Sequence, residues 1–420
     1  MFQIIRNIFV IRELRNKVLF TLAILVIYRL GAAIPVPGID LSIIKDLFQG
    51  GILGFLDLFS GGALARFAVF SLGIMPYITA TIIMQLLQMV IPRLEEWAKE
   101  GETGRRKIQQ IARYMTVGLA LLQSTGMVFF FREAIVDHTW PYIFLIIVTL
   151  TSGTTLIMWL GELITQFGIG NGISLLIFTS IISEMPGAII QMVRLGEINI
   201  FRIGLIGIIA LAVVVGVIMI QQGERRITVQ YAKQIRGRRV YGGRGTYIPL
   251  KVNQAGVIPV IFASSVLLFP AMIAQFFPGG LTQVIADMLS PAPGPGNVIN
   301  PVYIGLYSVL IIIFTYFYSA VVFNPTDIAD NFKKYGGFIP GIRPGRPTAG
   351  FLGKILNRIT LPGSIFLASI AILPELFYGY MDVPFRFGGI SLLIVVGVAL
   401  ETMKQLESQL LMRHYEGFFK

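Results

Sequence analysis

The residues of this chain that could carry catalysis are few and far apart. Its two histidines, His138 and His414, both lie outside apolar runs, and neither builds the His-Glu-x-x-His pair of a zinc hydrolase. No serine stands paired with a histidine or lysine inside an apolar run, as an intramembrane serine hydrolase would need. Cysteine is absent, which excludes disulfides, thiolate catalysis and cysteine metal sites. No Gly-x-x-x-x-Gly-Lys-Ser/Thr stretch occurs, so the chain carries no phosphate loop of its own for ATP hydrolysis. No metal or cofactor is expected and the chain does not read as an enzyme. The work left to it is physical: letting something pass, or holding it back.

One stretch fits that work. From Gly54 to Arg66 the sequence reads Gly-Phe-Leu-Asp-Leu-Phe-Ser-Gly-Gly-Ala-Leu-Ala-Arg, amphipathic and broken by Gly61-Gly62. It carries Asp57 and Arg66 and is too short and polar to cross a bilayer. The chain then turns apolar at Leu72-Gly-Ile-Met-Pro-Tyr-Ile78 and runs through Ile82, Ile83 and Leu86 to Pro92. Irregular backbone at membrane depth is tolerated only where protein or water satisfies its polar groups. The first piece is therefore expected inside a cavity, as a movable stopper. An interfacial helix lying on the outer leaflet is the alternative.

The elements that must position this stopper are apolar helices. Of 420 residues 55% are hydrophobic and 13% charged, and the mean hydropathy is +0.76. Soluble domains carry about 25% charged residues, so the composition is that of an all-α polytopic membrane protein. Apolar runs of about 17–23 residues, the last a little short, recur at Val18–Ile34, Leu72–Ile91, Met115–Phe131, Ile143–Leu163, Ile173–Ile190, Ile203–Ile220, Ala255–Phe277, Val302–Phe323, Leu361–Tyr380 and Gly389–Met403. The leading 1–17 is basic and amphipathic and does not read as a cleavable signal.

Charge orients these runs. Alternate connections hold 27 of the 34 Lys and Arg on one side and six on the other, with Arg29 inside the first run. The positive-inside rule puts both termini in the cytoplasm, and most of the net charge of +12 is topological rather than a nucleic-acid signal. Two basic connections exceed what orientation requires. In 223–254, alternating residues flank a Gly/Arg-rich turn and predict a β-hairpin. In 324–358, Lys333-Lys334 and Gly341-Ile-Arg-Pro-Gly-Arg-Pro347 predict a Pro/Gly-stiffened arch with Arg343 near its tip. Both read as docking surfaces for an acidic or RNA-containing partner, the alternative being attachment to anionic lipid.

Gly61-Gly-Ala-Leu followed by Leu72-Gly-Ile-Met-Pro-Tyr-Ile78 resembles the plug and second helix of the SecY family, the central channel subunit of the bacterial Sec translocon. The likeness continues through Gly168-Ile-Gly-Asn-Gly-Ile-Ser174, Pro249-Leu-Lys-Val-Asn253, Gly256-Val-Ile-Pro, Phe262-Ala-Ser-Ser265, Asn324-Pro325 and Gly341-Ile-Arg-Pro-Gly345. The resemblance implies ten transmembrane helices in two inverted-repeat halves of five around a central pore with a plug helix. The halves would be 1–190 and 203–420, hinged at 191–202. It implies a channel that passes unfolded secretory polypeptides across the cytoplasmic membrane and releases membrane segments sideways into lipid. SecA, a motor ATPase, or the ribosome would drive it, signal sequences would open it, and SecE-type and SecG-type subunits would accompany it.

Residue roles follow from the same resemblance. A pore ring would comprise Ile78, Ile82, Ile177, Ile181, Ile261 and Ile394, where aliphatic side chains exclude water yet yield to a passing chain. The i,i+4 pairs Ile78/Ile82 and Ile177/Ile181 agree, since each pair presents one helical face. Ordinary core or lipid-facing isoleucines are the alternative. The plug would span about 55–66, with Phe55, Leu58, Phe59, Gly61, Gly62 and Arg66. A lateral seam between helices two and three and helices seven and eight would bring Gln85, Gln123, Ser264 and Ser265 into polar contact, although ordinary packing explains the same residues. Arg238, Arg239, Lys251 and Arg343 would meet the drivers. The rival is a secondary transporter for a small solute. Such a protein keeps ionisable groups near the midplane, whereas Arg29, Glu162, Glu184, Glu375 and Glu401 all fall toward run ends.

Overall fold

Long helices organise the chain, because runs rich in Leu, Ile, Val and Phe satisfy most of their backbone polar groups within the segment, with Pro186 and Pro270 as interior interruptions. The computed structural model describes residues 11–42, 44, 57, 60–194, 200–231, 234–236, 239–241, 246–276, 280, 284, 288–289, 300–381 and 389–416. Its helices are α1 (Arg12–Ala33), α2 (Met75–Val90), α3 (Pro92–Lys99), α4 (Glu102–Phe130), α5 (Trp140–Phe167), α6 (Gly172–Arg194), α7 (Ile200–Gln222), α8 (Ile258–Phe276), α9 (Pro301–Val322), α10 (Pro325–Tyr335), α11 (Arg346–Met381) and α12 (Gly389–Glu416). Each of the ten apolar runs read from the sequence overlaps one of them.

Among the described residues, four helices are long and apolar enough to cross a membrane: α1, α5, the stretch Pro301–Tyr335 and Arg346–Leu373. Helices α2 and α3 pass the same test as a pair, bent by 102°. The bend has a local cause. Pro92 opens α3 and has no N–H to continue the ladder of α2, and Ile91 before it is extended at φ −99°, ψ 110°.

Packing separates the helices into two groups. The first joins α1, α2, α4, α5 and α6; the second joins α7, α8, α9, α11 and α12. The main contacts between the groups are α6 against α12 and α8 against α4.

The 223–254 connection forms the expected hairpin. Strand β1 (Glu224–Tyr231) pairs antiparallel with β4 (Thr246–Lys251), from Glu224 opposite Lys251 to Val229 opposite Thr246. Between them β2 (Gln234–Arg236) and β3 (Arg239–Tyr241) pair with each other. The 324–358 connection is more ordered than an arch. Helix α10 opens it, capped by Asn324, whose side chain accepts the Thr326 N–H at 3.1 Å. Then β5 (Gly337–Phe338) adds to β1 as a third strand. Ile227, Val229 and Leu250 from the hairpin meet Ile339, Leu352 and Ile355 in a small separate core. Helix α11 therefore starts at Arg346, well before the apolar run at Leu361, because its first turns cover this core.

Candidate functional site

Isoleucines from three helices share one large buried apolar cluster. Ile177 and Ile181 of α6, Ile261 of α8 and Ile394 of α12 belong to one buried apolar cluster, and Ile78 of α2 packs against it. Ile82, one turn further along α2, is buried at 8% exposed but is not among the residues of this cluster, whose four isoleucines named above are 5% exposed or less. The start of α6 is fixed by its loop: Gly170 takes φ +84°, and the Asn171 side chain accepts the Ile173 N–H at 3.1 Å as an N-cap.

The Gly-punctuated segment lies against the same helix. Phe55, Leu58 and Phe59 lie outside the described residues, whereas Asp57 and 60–74 are described. The Asp57 carboxylate accepts the Leu64 and Ala65 N–H groups, each at 3.0 Å, and the Ser60 hydroxyl at 2.9 Å. Burial pushes the Asp57 carboxyl above its usual range, against the lowering pull of those bonds and of Arg66. Gly61 and Gly62 turn with φ +67° and +77°, the left-handed region that glycine adopts without cost. There is also no room for a side chain. A Cβ on Gly61 would lie 2.9 Å from Ser180 Cα and 2.9 Å from Arg29 Nη1, and one on Gly62 would strike the Glu184 carboxylate. Arg66 is exposed at the end of this turn.

The polar residues expected at the seam behave differently from one another. The Gln85 side chain of α2 interacts with the Tyr318 phenol of α9, across the two packing groups. Ser264 and Ser265 instead donate to the Ile261 carbonyl of their own helix, at 2.9 and 2.8 Å. A hydroxyl in apolar surroundings takes the carbonyl three or four residues back when no partner faces it. Gln123 is half-buried on α4.

Lys251 ends β4 and borders a cavity of 530 Å³ shared with Asn253, Gln221, Glu401 and Lys404. Arg343 is exposed, and the Thr348 hydroxyl donates to its carbonyl at 2.8 Å, which pins the turn. Arg238 and the side chain of Arg239 lie outside the described residues.

Two polar ties were not read from the sequence. Arg113 of α4 pairs with Glu162 of α5 at 2.7 Å, with the Glu162 side chain 9% exposed. Tyr28 of α1 bonds Ser180 of α6 at 2.5 Å while its ring stacks on Phe70. The only signal for the first was an acid near the end of an apolar run.

A family profile described as SecY matches residues 68–403. The protein translocase subunit SecY of Streptomyces griseus is 49% identical over 443 residues, covering 100% of both chains. A solved protein-conducting channel aligns with TM-score 0.66 at 22% identity, over 93% of this chain and 91% of that one. Sec61 in the canine ribosome–channel complex from the endoplasmic reticulum aligns with TM-score 0.63 at 21% identity, over 93% and 91%.

Proposed function

The chain belongs to the SecY family, and on that premise we infer that it is the protein-conducting channel of a translocase, with unfolded secretory polypeptides passing through the isoleucine cluster. The observation that supports this reading is that Ile177, Ile181, Ile261 and Ile394, from α6, α8 and α12, share one buried apolar cluster, with Ile78 of α2 packed against that cluster. An apolar cluster drawn from both packing groups can part when the groups separate, and can close dry around whatever lies between them.

Around that ring the finer reading has four parts. Ten helices cross the cytoplasmic membrane with both termini inside, in two halves, 1–190 and 203–420, hinged at 191–202; of that hinge, 195–199 lie outside the described residues. The segment from about 55 to 66 plugs the ring from the outer side. Membrane segments leave through the seam lined by Gln85, Gln123, Ser264 and Ser265, where the sparse contact of α8 with α4 and the Gln85–Tyr318 interaction suit a seam that opens. The platform of β1, β4 and β5 with Lys251 and Arg343 receives SecA or the ribosome, together with Arg238 and Arg239, while SecE-type and SecG-type subunits complete the assembly. The exposed cations there suit an acidic or RNA surface, and the canine neighbour is itself bound to a ribosome.

The test uses the absence of native cysteine. A single cysteine is placed at Ile82, and a secretory precursor with one cysteine is stalled partway through. A disulfide that forms only with SecA, ATP and a functional signal sequence is the expected result. Efficient crosslinking from other helices with none at position 82 would move the path elsewhere.

A further inference from the structure

The plug segment is held by two residues from two helices, neither of which belongs to the ring. Arg29 of α1, half-buried, donates from Nη1 to the Gly61 carbonyl at 2.9 Å. Directly behind this point the Tyr28–Ser180 bond ties α1 to α6, so the guanidinium and the Ser180 backbone close on Gly61 from two sides. One helical turn beyond Ser180, the Glu184 carboxylate lies against Gly62. Asp57 folds the segment upon itself, and Arg66 leaves it as an exposed cation. Two cations, Arg29 and Arg66, thus gather with two anions, Asp57 and Glu184, around a backbone turn that is otherwise apolar.

We infer that Arg29 and Glu184 form a latch that positions the plug in the resting channel, Arg29 by its bond to Gly61 and Glu184 by balancing the cations where the segment meets α6. The inference rests on the reading of 55–66 as the plug. Its chemistry suits a catch that must release. Apolar burial alone would leave the segment free to slide along an apolar wall. A hydrogen bond from a charged donor to one carbonyl fixes it at a single point and is lost at once when the segment moves. Together with Asp57, Glu184 makes the charges around the turn two against two, offsetting Arg66 and the half-buried guanidinium. Both act as positioning residues for the segment.

The experiment reads the segment itself in the full-length chain, assembled with its membrane partners. Ala63, wholly buried in the apolar cluster, is replaced by cysteine as a small reporter, and a membrane-impermeant maleimide is added from the outer side. Loss of one charge-assisted hydrogen bond corresponds to about a tenfold rise in the displaced population. Arg29→Met and Glu184→Arg should each raise the labelling rate by about that factor, while Arg29→Lys, which keeps a cationic donor, should stay within about twofold of the parent. Glu184→Gln, isosteric and minimally disturbing, should fall between them, and it carries the test should a charge reversal fail to assemble. Labelling at the parent rate in Arg29→Met and Glu184→Gln would overturn the latch. So would Arg29→Lys labelling as fast as Arg29→Met, since the shape of the side chain would then be what matters. A parent complex that passes no precursor would instead defeat the channel reading.

Discussion

Helix α6 serves two regions that are held in opposite ways. Through Ile177 and Ile181 it enters the isoleucine cluster, where contact is apolar and has no preferred direction. Through Ser180 and Glu184, about 60° around the same helix, it meets the Gly61–Gly62 turn, where contact is backbone against side-chain oxygen and cation. The cluster can part and close again in many arrangements because no single contact defines it. The turn has one seat. In the proposed channel the labour would divide accordingly: the cluster would supply a yielding seal, and the segment a discrete closed state.

The largest effect should come from spoiling the seat. In Gly61→Val a β-branched side chain would have to adopt φ +67°, with its Cβ 2.9 Å from Ser180 Cα. Strain of this kind costs about 1–3 kcal/mol before the clash is counted. The segment should therefore leave its place, and ion conductance of the resting channel in planar bilayers should rise at least about tenfold. Conductance at the parent level, with the complex assembled, would mean that this turn does not seal the channel and that the two regions share one role.

A smaller effect is expected from wetting the cluster while the seat stays intact. Ile82→Asn, one turn along α2 from Ile78, combined with Ile261→Asn inside the cluster, puts two amides at positions 8% and 4% exposed. An unpaired buried polar group costs about 1–3 kcal/mol, and here water can relieve that cost by entering. The same bilayer measurement should show a several-fold rise, below that of Gly61→Val because the plug still blocks the path. A rise exceeding that of Gly61→Val would reverse the proposed order of the two barriers.

The two regions also differ in how far the sequence discloses them. Apolar runs mark the helices, and the i,i+4 pairs Ile78/Ile82 and Ile177/Ile181 mark a face, because helical periodicity is a local property. The 223–254 hairpin was legible for the same reason, with Ile227 and Val229 alternating inward. What escaped was long-range. The Tyr28–Ser180 tie joins residues 152 apart, and Gly337–Phe338 is too short to announce itself as a strand until β1 is beside it. Helix α10 is a different case. Asn324-Pro325 is a capping residue followed by proline at the first helical position, a start signal present in the sequence and passed over for the glycines and prolines that follow. Likewise Ser264 and Ser265 carried no mark distinguishing a bond across a seam from a bond to their own helix, since either satisfies the hydroxyl.

The smallest effect separates water exclusion from close fit within the cluster. Ile181→Val and Ile394→Val each remove one buried methyl group from positions 1% exposed. The expected loss of stability is about 0.5–1.5 kcal/mol, read as a lowered midpoint of thermal unfolding. Resting conductance should change less than about twofold, because valine repels water nearly as well as isoleucine and neighbouring side chains can close over a missing methyl. A leak matching that of the paired Asn substitutions would contradict this, and the cluster would then resemble the Gly61 seat, sealing by shape. The contrast between a yielding seal and a discrete plug survives only if the cluster tolerates the methyl and the seat does not.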